Sequence, residues 1–373
     1  MSFKYSLFIL FILLLTACEQ STPLSPGQSS ISVTQRMAAI PAPGFARALE
    51  AREFEFPADH AAHPEFASEW WYFTGNLRSD DGATYGYQFT LFRVGLKPGE
   101  AAKDSSWRSQ QLYMGHLALS DIRKAEHLTA ERFARAAAGL AGAQAQPLKI
   151  WLGPWSIQGN TNQLFPLRLT ASTANIAIDL ALQAGSKPLV LQGERGLSRK
   201  GPEPGNASYY YSYTRLPTSG KIRIGDNRLQ VSGNSWFDRE WSSSALSPDQ
   251  AGWDWFSLQL EDGRELMFYR MRDNRGQAQV FSNGVLVQAD GSVIPLSLDD
   301  ARLQVLKQWQ SPEQTFYPVS WRLQLPLYQI DLRIDAAFED QEMRHTVRYW
   351  EGAVRVSGSH QGTGYMELTG YAP

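Results

Sequence analysis

The chain has 373 residues, 35 basic and 37 acidic, for a formal net charge of -2. That balance argues against a nucleic-acid partner, whose phosphates call for a basic surface. With 12% aromatic residues, 12 tryptophans and only 19% charged residues, the composition describes a soluble protein with aromatic-rich cores or an aromatic-lined ligand cavity.

Residues 1–17 hold one lysine, an apolar run from Leu7 to Leu15, and small residues before Cys18. The run is too short to cross a membrane, which takes about 20 residues, so it predicts a signal peptide. It resembles that of a bacterial lipoprotein, with Cys18 as the lipidated residue. Cys18 is the single cysteine, so no disulfide can form within the chain, and lipidation would remove a free thiol from an oxidising compartment. An ordinary signal peptide or a buried cysteine is the alternative. The resemblance to lipoproteins further implies that Glu19, not being Asp, permits sorting to the outer membrane, facing the periplasm. Residues 18–51 are rich in Ser, Thr, Pro, Gly, Gln and Ala without an apolar period. Such a segment cannot bury enough surface to offset its ordering entropy and is expected to be a disordered tether to the membrane.

The remainder is too long for one comfortable core and predicts two domains. Its signal is strand almost throughout. Glu69 to Leu77 alternates and is followed by an Asp-Asp-Gly turn and a returning strand, Thr84 to Arg93, which is a hairpin pattern. Further strands are expected at 111–120, 149–158, 165–171, 175–184, 209–216, 221–224, 228–231, 277–283, 285–296, 303–308, 320–325, 330–336, 349–358 and 362–370. Only Glu131 to Leu140 reads as a helix, from its alanines and the following Gly142. Short strands between Gly, Asn and Asp turns indicate antiparallel sandwiches or barrels. The halves echo each other: each opens with an aromatic, acid-bearing strand and an Asp-Gly hairpin and ends in tyrosine-rich strands. A duplicated barrel would do this, with domains at 52–225 and 226–373 divided at the turn Gly225-Asp226-Asn227; one large sandwich is the alternative.

The stretch from Asn234 to Arg270 carries a conflict. Trp236, Phe237, Trp241, Trp253, Trp255 and Phe256 call for burial, yet Asp238, Arg239, Glu240 and Asp254 lie between them, and a buried unpaired charge costs several kcal/mol. The charges either pair or line a cavity. On a strand, Asp238 and Glu240 share a face with Trp236, while Arg239 and Trp241 point the other way. Two acids about 7 Å apart along a strand suit a general acid and base pair, with one pKa raised by burial among tryptophans. Pairing of Asp238 or Glu240 with Arg270 or Arg93 is the competing reading, and Glu69 beside Trp70 has the same two readings. Glu351 and Glu367 are expected to close the barrel by hydrogen bonding, with a catalytic role as the lesser alternative. The candidate catalytic residues are therefore Asp238, Glu240 and Tyr269. The candidate ligand-binding residues are Glu69, Trp70, Trp236, Trp241, Trp253, Trp255 and Arg270.

The strings HPEFASEWWYFTGNL, YGYQFTLFR, SYTRL, WFDREWSS, GWDWFSLQL, ELMFYR, YWEGAV and GYMELTGY, spread from His63 to Tyr371, resemble the AttH/CrtC-like family of secreted lipocalin-like proteins. This family includes the carotenoid 1,2-hydratases and bacterial lipoproteins labelled predicted hydrolases. The resemblance implies two lipocalin-like β-barrel domains and an accessory role beside ABC-type export systems. Of the hydratase pattern, Trp241 and Tyr269 match, whereas Arg239 stands in place of a histidine and Met271 in place of an acid. A thioether cannot protonate an alkene, so any such activity would need a displaced acid such as Glu240.

Six histidines without an HExxH pattern or a cysteine cluster make a zinc site unexpected. No GxSxG elbow and no phosphate loop occurs, so Ser242, Ser243 and Ser244 do not read as a serine-hydrolase site, and no cofactor is expected. The sequence therefore predicts an all-β, envelope-anchored protein. Its partner would be a hydrophobic or amphipathic molecule, lipid-like or isoprenoid-like, which it binds, or else hydrates or hydrolyses by acid-base catalysis.

Overall fold

The computed structural model of the chain describes residues 43–98, 109–161, 163–243 and 246–371. The predicted signal peptide, Cys18, most of the tether and Ser244 lie outside them. No helix among the described residues is long and apolar enough to cross a membrane.

The described residues form two antiparallel, barrel-like sheets within one compact unit. The first sheet comprises β1 (Ser68–Ser79), β2 (Thr84–Gly95), β3 (Gln111–Asp121), β4 (Glu126–Arg135), β5 (Ala141–Gln144), β6 (Lys149–Leu152), β7 (Trp155–Gln158), β8 (Leu167–Ser172), β9 (Ile176–Leu182), β10 (Val190–Leu191), β11 (Leu197–Arg199), β12 (Ala207–Ile224) and β13 (Asn227–Ser242). The second comprises β14 (Gln250–Leu260), β15 (Glu265–Asp273), β16 (Asn283–Val287), β17 (Val293–Ser297), β18 (Arg302–Gln310), β19 (Phe316–Leu325), β20 (Ile330–Ala336), β21 (Glu342–Arg344), β22 (Arg348–Gly358) and β23 (Gly362–Leu368). Each sheet begins with a four-strand meander and returns so that its last strand pairs with its first, β13 on β1 and β23 on β14. The echo between the halves is this shared topology.

Four expectations are corrected. The described end of the expected tether, residues 43–51, is packed on the first barrel, with Ala48 in its core and the Ala46 N–H donating to Glu65 O at 2.8 Å. Residues 131–140 are not a helix: β4 pairs with β3 along its length, His116 opposite Glu131, and the chain then turns with Ala138 and Gly139 at positive φ. Sheet pairing overrides the helix preference of the alanines. The turn at 225–227 lies inside the β12–β13 hairpin of the first sheet, and the passage to the second sheet falls between Ser242 and Gln250. A tight glycine turn marks a hairpin whether or not a domain ends there. Residues 277–282 form no regular strand, and Asn283 opens β16.

Period-2 alternation sorts the side chains of these strands. On β1 and β13, Trp71, Phe73, Phe237 and Trp241 fill the first barrel, with Phe73 and Phe237 stacked at 4.2 Å. On β14 and β15, Phe256, Leu258, Leu266 and Phe268 fill the second. The opposite faces of these strands meet each other: Tyr72, Tyr210, Trp236, Trp255, Met267 and Tyr269 form a third apolar cluster between the sheets. Cross-links hold that contact, among them Gln259 Nε2 to Thr214 O at 2.7 Å and Arg215 Nε to Glu265 Oε1 at 2.6 Å. The sheets approach closely at Gly86, where a Cβ would stand 2.6 Å from the Tyr365 hydroxyl.

Candidate functional site

A cavity of about 440 Å³ opens between the sheets, within the ~300–1,000 Å³ of small-molecule sites. One wall carries Trp70 and Tyr72 of β1, Met114 and His116 of β3, Tyr210 of β12, and Asp238 and Glu240 of β13. The other carries Trp253 and Trp255 of β14, Tyr269 and Met271 of β15, Tyr349 and Glu351 of β22, and Glu367 of β23. Lys200, from the loop before β12, completes the polar end. Leu96 and Phe133, 39% and 43% exposed, are apolar lining residues open to solvent, so an apolar rim leads to a largely apolar interior into which the carboxyls and Lys200 are set.

Each carboxyl meets different surroundings. Asp238 accepts hydrogen bonds from Ser212 Oγ and Trp236 Nε1, both at 2.6 Å, and from the Tyr210 hydroxyl at 2.5 Å. Tyr210 in turn accepts from Trp255 Nε1 at 3.3 Å. Burial pushes Asp238 up to about 7, and the neighbouring Glu240 charge adds to this, against the pull of the three donors. Glu240 faces Lys200 Nζ at 3.4 Å. Burial works against the charge on Lys200, but Glu240 and Tyr269 outweigh it and raise its pKa; the ammonium lies 4.1 Å from the Tyr269 ring centre. Glu367, which accepts from Trp253 Nε1 at 3.0 Å, is pushed up to about 8 by burial, with Asp238 and Glu240 contributing. Glu351, opposite Glu367 in the β22–β23 pairing, is fully buried and raised well above the usual carboxylate range by burial and by Glu367. The Tyr72 and Tyr349 hydroxyls temper that rise, yet neither carboxyl oxygen of Glu351 has a partner in good hydrogen-bond geometry.

The matching family model, described as AttH-like, spans residues 47–371. The chain belongs to the AttH-like family. Among solved structures, it resembles a candidate AttH of Nitrosomonas europaea at 34% identity, covering 88% of this chain and 100% of that one, with a TM-score of 0.79. Kievitone hydratase from Nectria haematococca is similar at 15% identity, covering 87% and 98% of the two chains, with a TM-score of 0.63. CghA is similar at 12% identity, covering 87% and 96%, with a TM-score of 0.51. These last two share the fold. No curated protein matches the chain.

In this AttH-like protein the cavity gathers most, not all, of the predicted site residues. Asp238, Glu240, Tyr269, Trp70, Trp253 and Trp255 line it, and Trp236 stands behind the wall as a donor to Asp238. Three predicted residues are structural instead. Glu69 borders the cavity, but its carboxylate is engaged by Arg93, Arg239 and the His63 amide. Burial would raise Glu69, yet Arg239 and Arg93 hold it well below the usual range. Trp241 stacks on His63 at 3.9 Å within the first barrel. Arg270 pairs with Asp254 at 2.7 Å and lies over Trp321 on the interior side of the second barrel. The expected pairing of Asp238 or Glu240 with Arg93 or Arg270 does not form: Arg93 meets Glu69, Arg270 meets Asp254, and Glu240 meets Lys200 instead. Glu351 and Glu367, expected to close the barrel by hydrogen bonds, face the cavity. Sequence reasoning passed over Tyr72, Tyr210 and Lys200; the first two follow from alternation with Trp71 and Tyr211, whereas Lys200 sits in a loop with no local signal.

Proposed function

We propose that the cavity takes up an apolar or amphipathic molecule and acts on it by proton transfer, adding water to a carbon-carbon double bond or removing it. The observation that carries this reading is the convergence of four carboxyl groups, two from each sheet, on a largely apolar cavity, where burial raises Glu351 well above the usual carboxylate range and Glu367 to about 8. A protonated carboxyl can donate to an alkene carbon, while Asp238, poised near neutrality, takes a proton from the water whose oxygen bonds to the adjacent carbon. The sum is one water molecule across the double bond. The acid missing at Met271 is thereby supplied from strands of the second sheet. The hydratase named among the fold neighbours agrees with this reading, which rests on the acids of this chain.

Attachment at the cell envelope through Cys18, with access to lipid-like molecules there, is part of the same proposal, as is a supporting role beside an ABC-type exporter. The test is incubation of purified protein with an unsaturated lipid extract in isotopically labelled water, followed by mass spectrometry of the extract. Products that gain labelled water with wild type, and not with Glu367→Gln or Asp238→Asn, support hydration. A bound lipid that leaves unchanged would reduce the function to ligand binding, the other reading of the same cavity.

A further inference from the structure

Resting on that acid-base reading of the cavity, we propose that Glu131, His116 and Tyr349 form a proton relay that connects solvent with Glu351 while the cavity is filled by an apolar molecule. His116 is fully buried. Its Nδ1 is 2.8 Å from the Tyr349 hydroxyl and its Nε2 is 3.1 Å from Glu131 Oε1. Glu131 sits on the edge strand β4, partly open to solvent, and its other oxygen accepts from Thr346 Oγ1 at 2.7 Å. Tyr349 and Glu351 lie two residues apart on the same face of β22 and both line the cavity, the Tyr349 hydroxyl neighbouring the Glu351 carboxyl short of a well-formed hydrogen bond, so this is the one link that must tighten for a proton to pass. The chain of groups therefore runs from surface to cavity across both sheets.

Such a path answers a problem that occupancy creates. An apolar ligand excludes water, so a carboxyl that has given up its proton cannot recover one through the cavity mouth. Along the relay, a solvent proton enters at Glu131 and passes to His116 Nε2. His116 releases one from Nδ1 to the Tyr349 oxygen, and Tyr349 passes its own to Glu351. One proton moves inward, and His116 and Tyr349 end with the number they began with. His116 and Tyr349 are positioning residues in this account, not groups that touch the reacting atoms.

The test needs no substrate. N-phenyl-1-naphthylamine, an uncharged apolar dye, fills the cavity, its entry read by fluorescence. Infrared spectroscopy then follows hydrogen-deuterium exchange of the protonated-carboxyl carbonyl band that Glu351→Gln removes. His116→Phe and Tyr349→Phe, which keep an aromatic ring in place, should slow that exchange by about a hundredfold, the low end of what a positioned proton-transfer group contributes. Glu131→Gln should slow it as well, and backbone amide exchange should stay as in wild type. A variant that merely loosened the fold would speed exchange. Unchanged or faster exchange with the dye bound and the band present overturns the relay alone. Failure of the dye to enter, or absence of any band removed by Glu351→Gln, overturns the acid-base reading and the relay with it.

Discussion

Glu367→Gln removes a titratable group while keeping the side-chain oxygen that accepts from Trp253 Nε1 at 3.0 Å. In the folded chain burial raises Glu367 from its ordinary 4.5 to about 8, so between those values the native state holds a proton that the unfolded chain has released. A carboxyl raised in this way contributes stability that is fully present below pH about 4.5 and is lost as the pH climbs through about 8. The interval corresponds to at most about 5 kcal/mol. Glu367 is only half-buried, because it faces the cavity, and water there brings the expected figure down to about 2–4 kcal/mol. Urea unfolding of wild type and variant across this pH range measures it directly. Wild type should lose stability relative to Glu367→Gln as the pH rises, with equal denaturant slopes for the two proteins. Parallel stability-pH curves would refute the argument: Glu367 would then be as well solvated folded as unfolded, and the cavity would lose one of its proposed acids.

Glu69→Gln should cost about 3–5 kcal/mol in chemical unfolding, because it leaves Arg93 and Arg239 with an uncompensated buried charge; a loss under about 1 kcal/mol would mean that the network does not hold the first barrel. Glu351→Gln should be neutral or stabilising, since its carboxyl is buried without a hydrogen bond of good geometry, and a loss comparable to that of Glu69→Gln would contradict the separation of the two acids. Trp255→Ala should weaken uptake of an uncharged apolar dye by about 2 kcal/mol or more, read by fluorescence titration; unchanged affinity would place the dye elsewhere. For the proposed anchor, Cys18→Ser should abolish metabolic palmitate labelling, and labelling that persists would reject lipidation at that residue.

Much of the fold was legible because strand period and turn chemistry are local. Alternation put Asp238 and Glu240 with Trp236 on one face and Arg239 with Trp241 on the other, as the structure has them. The Asp262-Gly263 turn joins β14 to β15 as expected, with Gly263 at φ +86°. The purpose of each face was not legible, since both faces of β1, β14, β15 and the 235–242 part of β13 are largely buried, one inside a barrel and the other against the opposite sheet. Hydrophobicity cannot tell two buried faces apart, and so Glu69, Trp241 and Arg270 were grouped with residues on the far side of their strands. The contribution of Glu351 and Glu367 depends on how the sheets face each other, which no local pattern encodes.

The contrast between barrel interiors and the space between them gives the acids their chemistry. Across the first hairpin of each sheet an inward acid lies opposite an arginine, Glu69 opposite Arg93 and Asp254 opposite Arg270. Second arginines, Arg239 and Arg272, complete the two sets. Both carboxylates are committed to guanidinium partners inside the barrels. The outward face of the same strands reverses the balance. Glu240 lies opposite Trp70 in the β1–β13 pairing and Glu367 opposite Trp255 in the β14–β23 pairing, so equivalent strands bring an acid to the cavity from each side. Four carboxyls then share that space with the single ammonium of Lys200 and with Arg93 at its border, which is already committed to Glu69. Ionising all four would set uncompensated like charges in an apolar enclosure, so some of them keep their protons. A site built this way stores acid at a pH where isolated carboxyls cannot, which is what protonation of a weakly basic carbon or a departing hydroxyl requires.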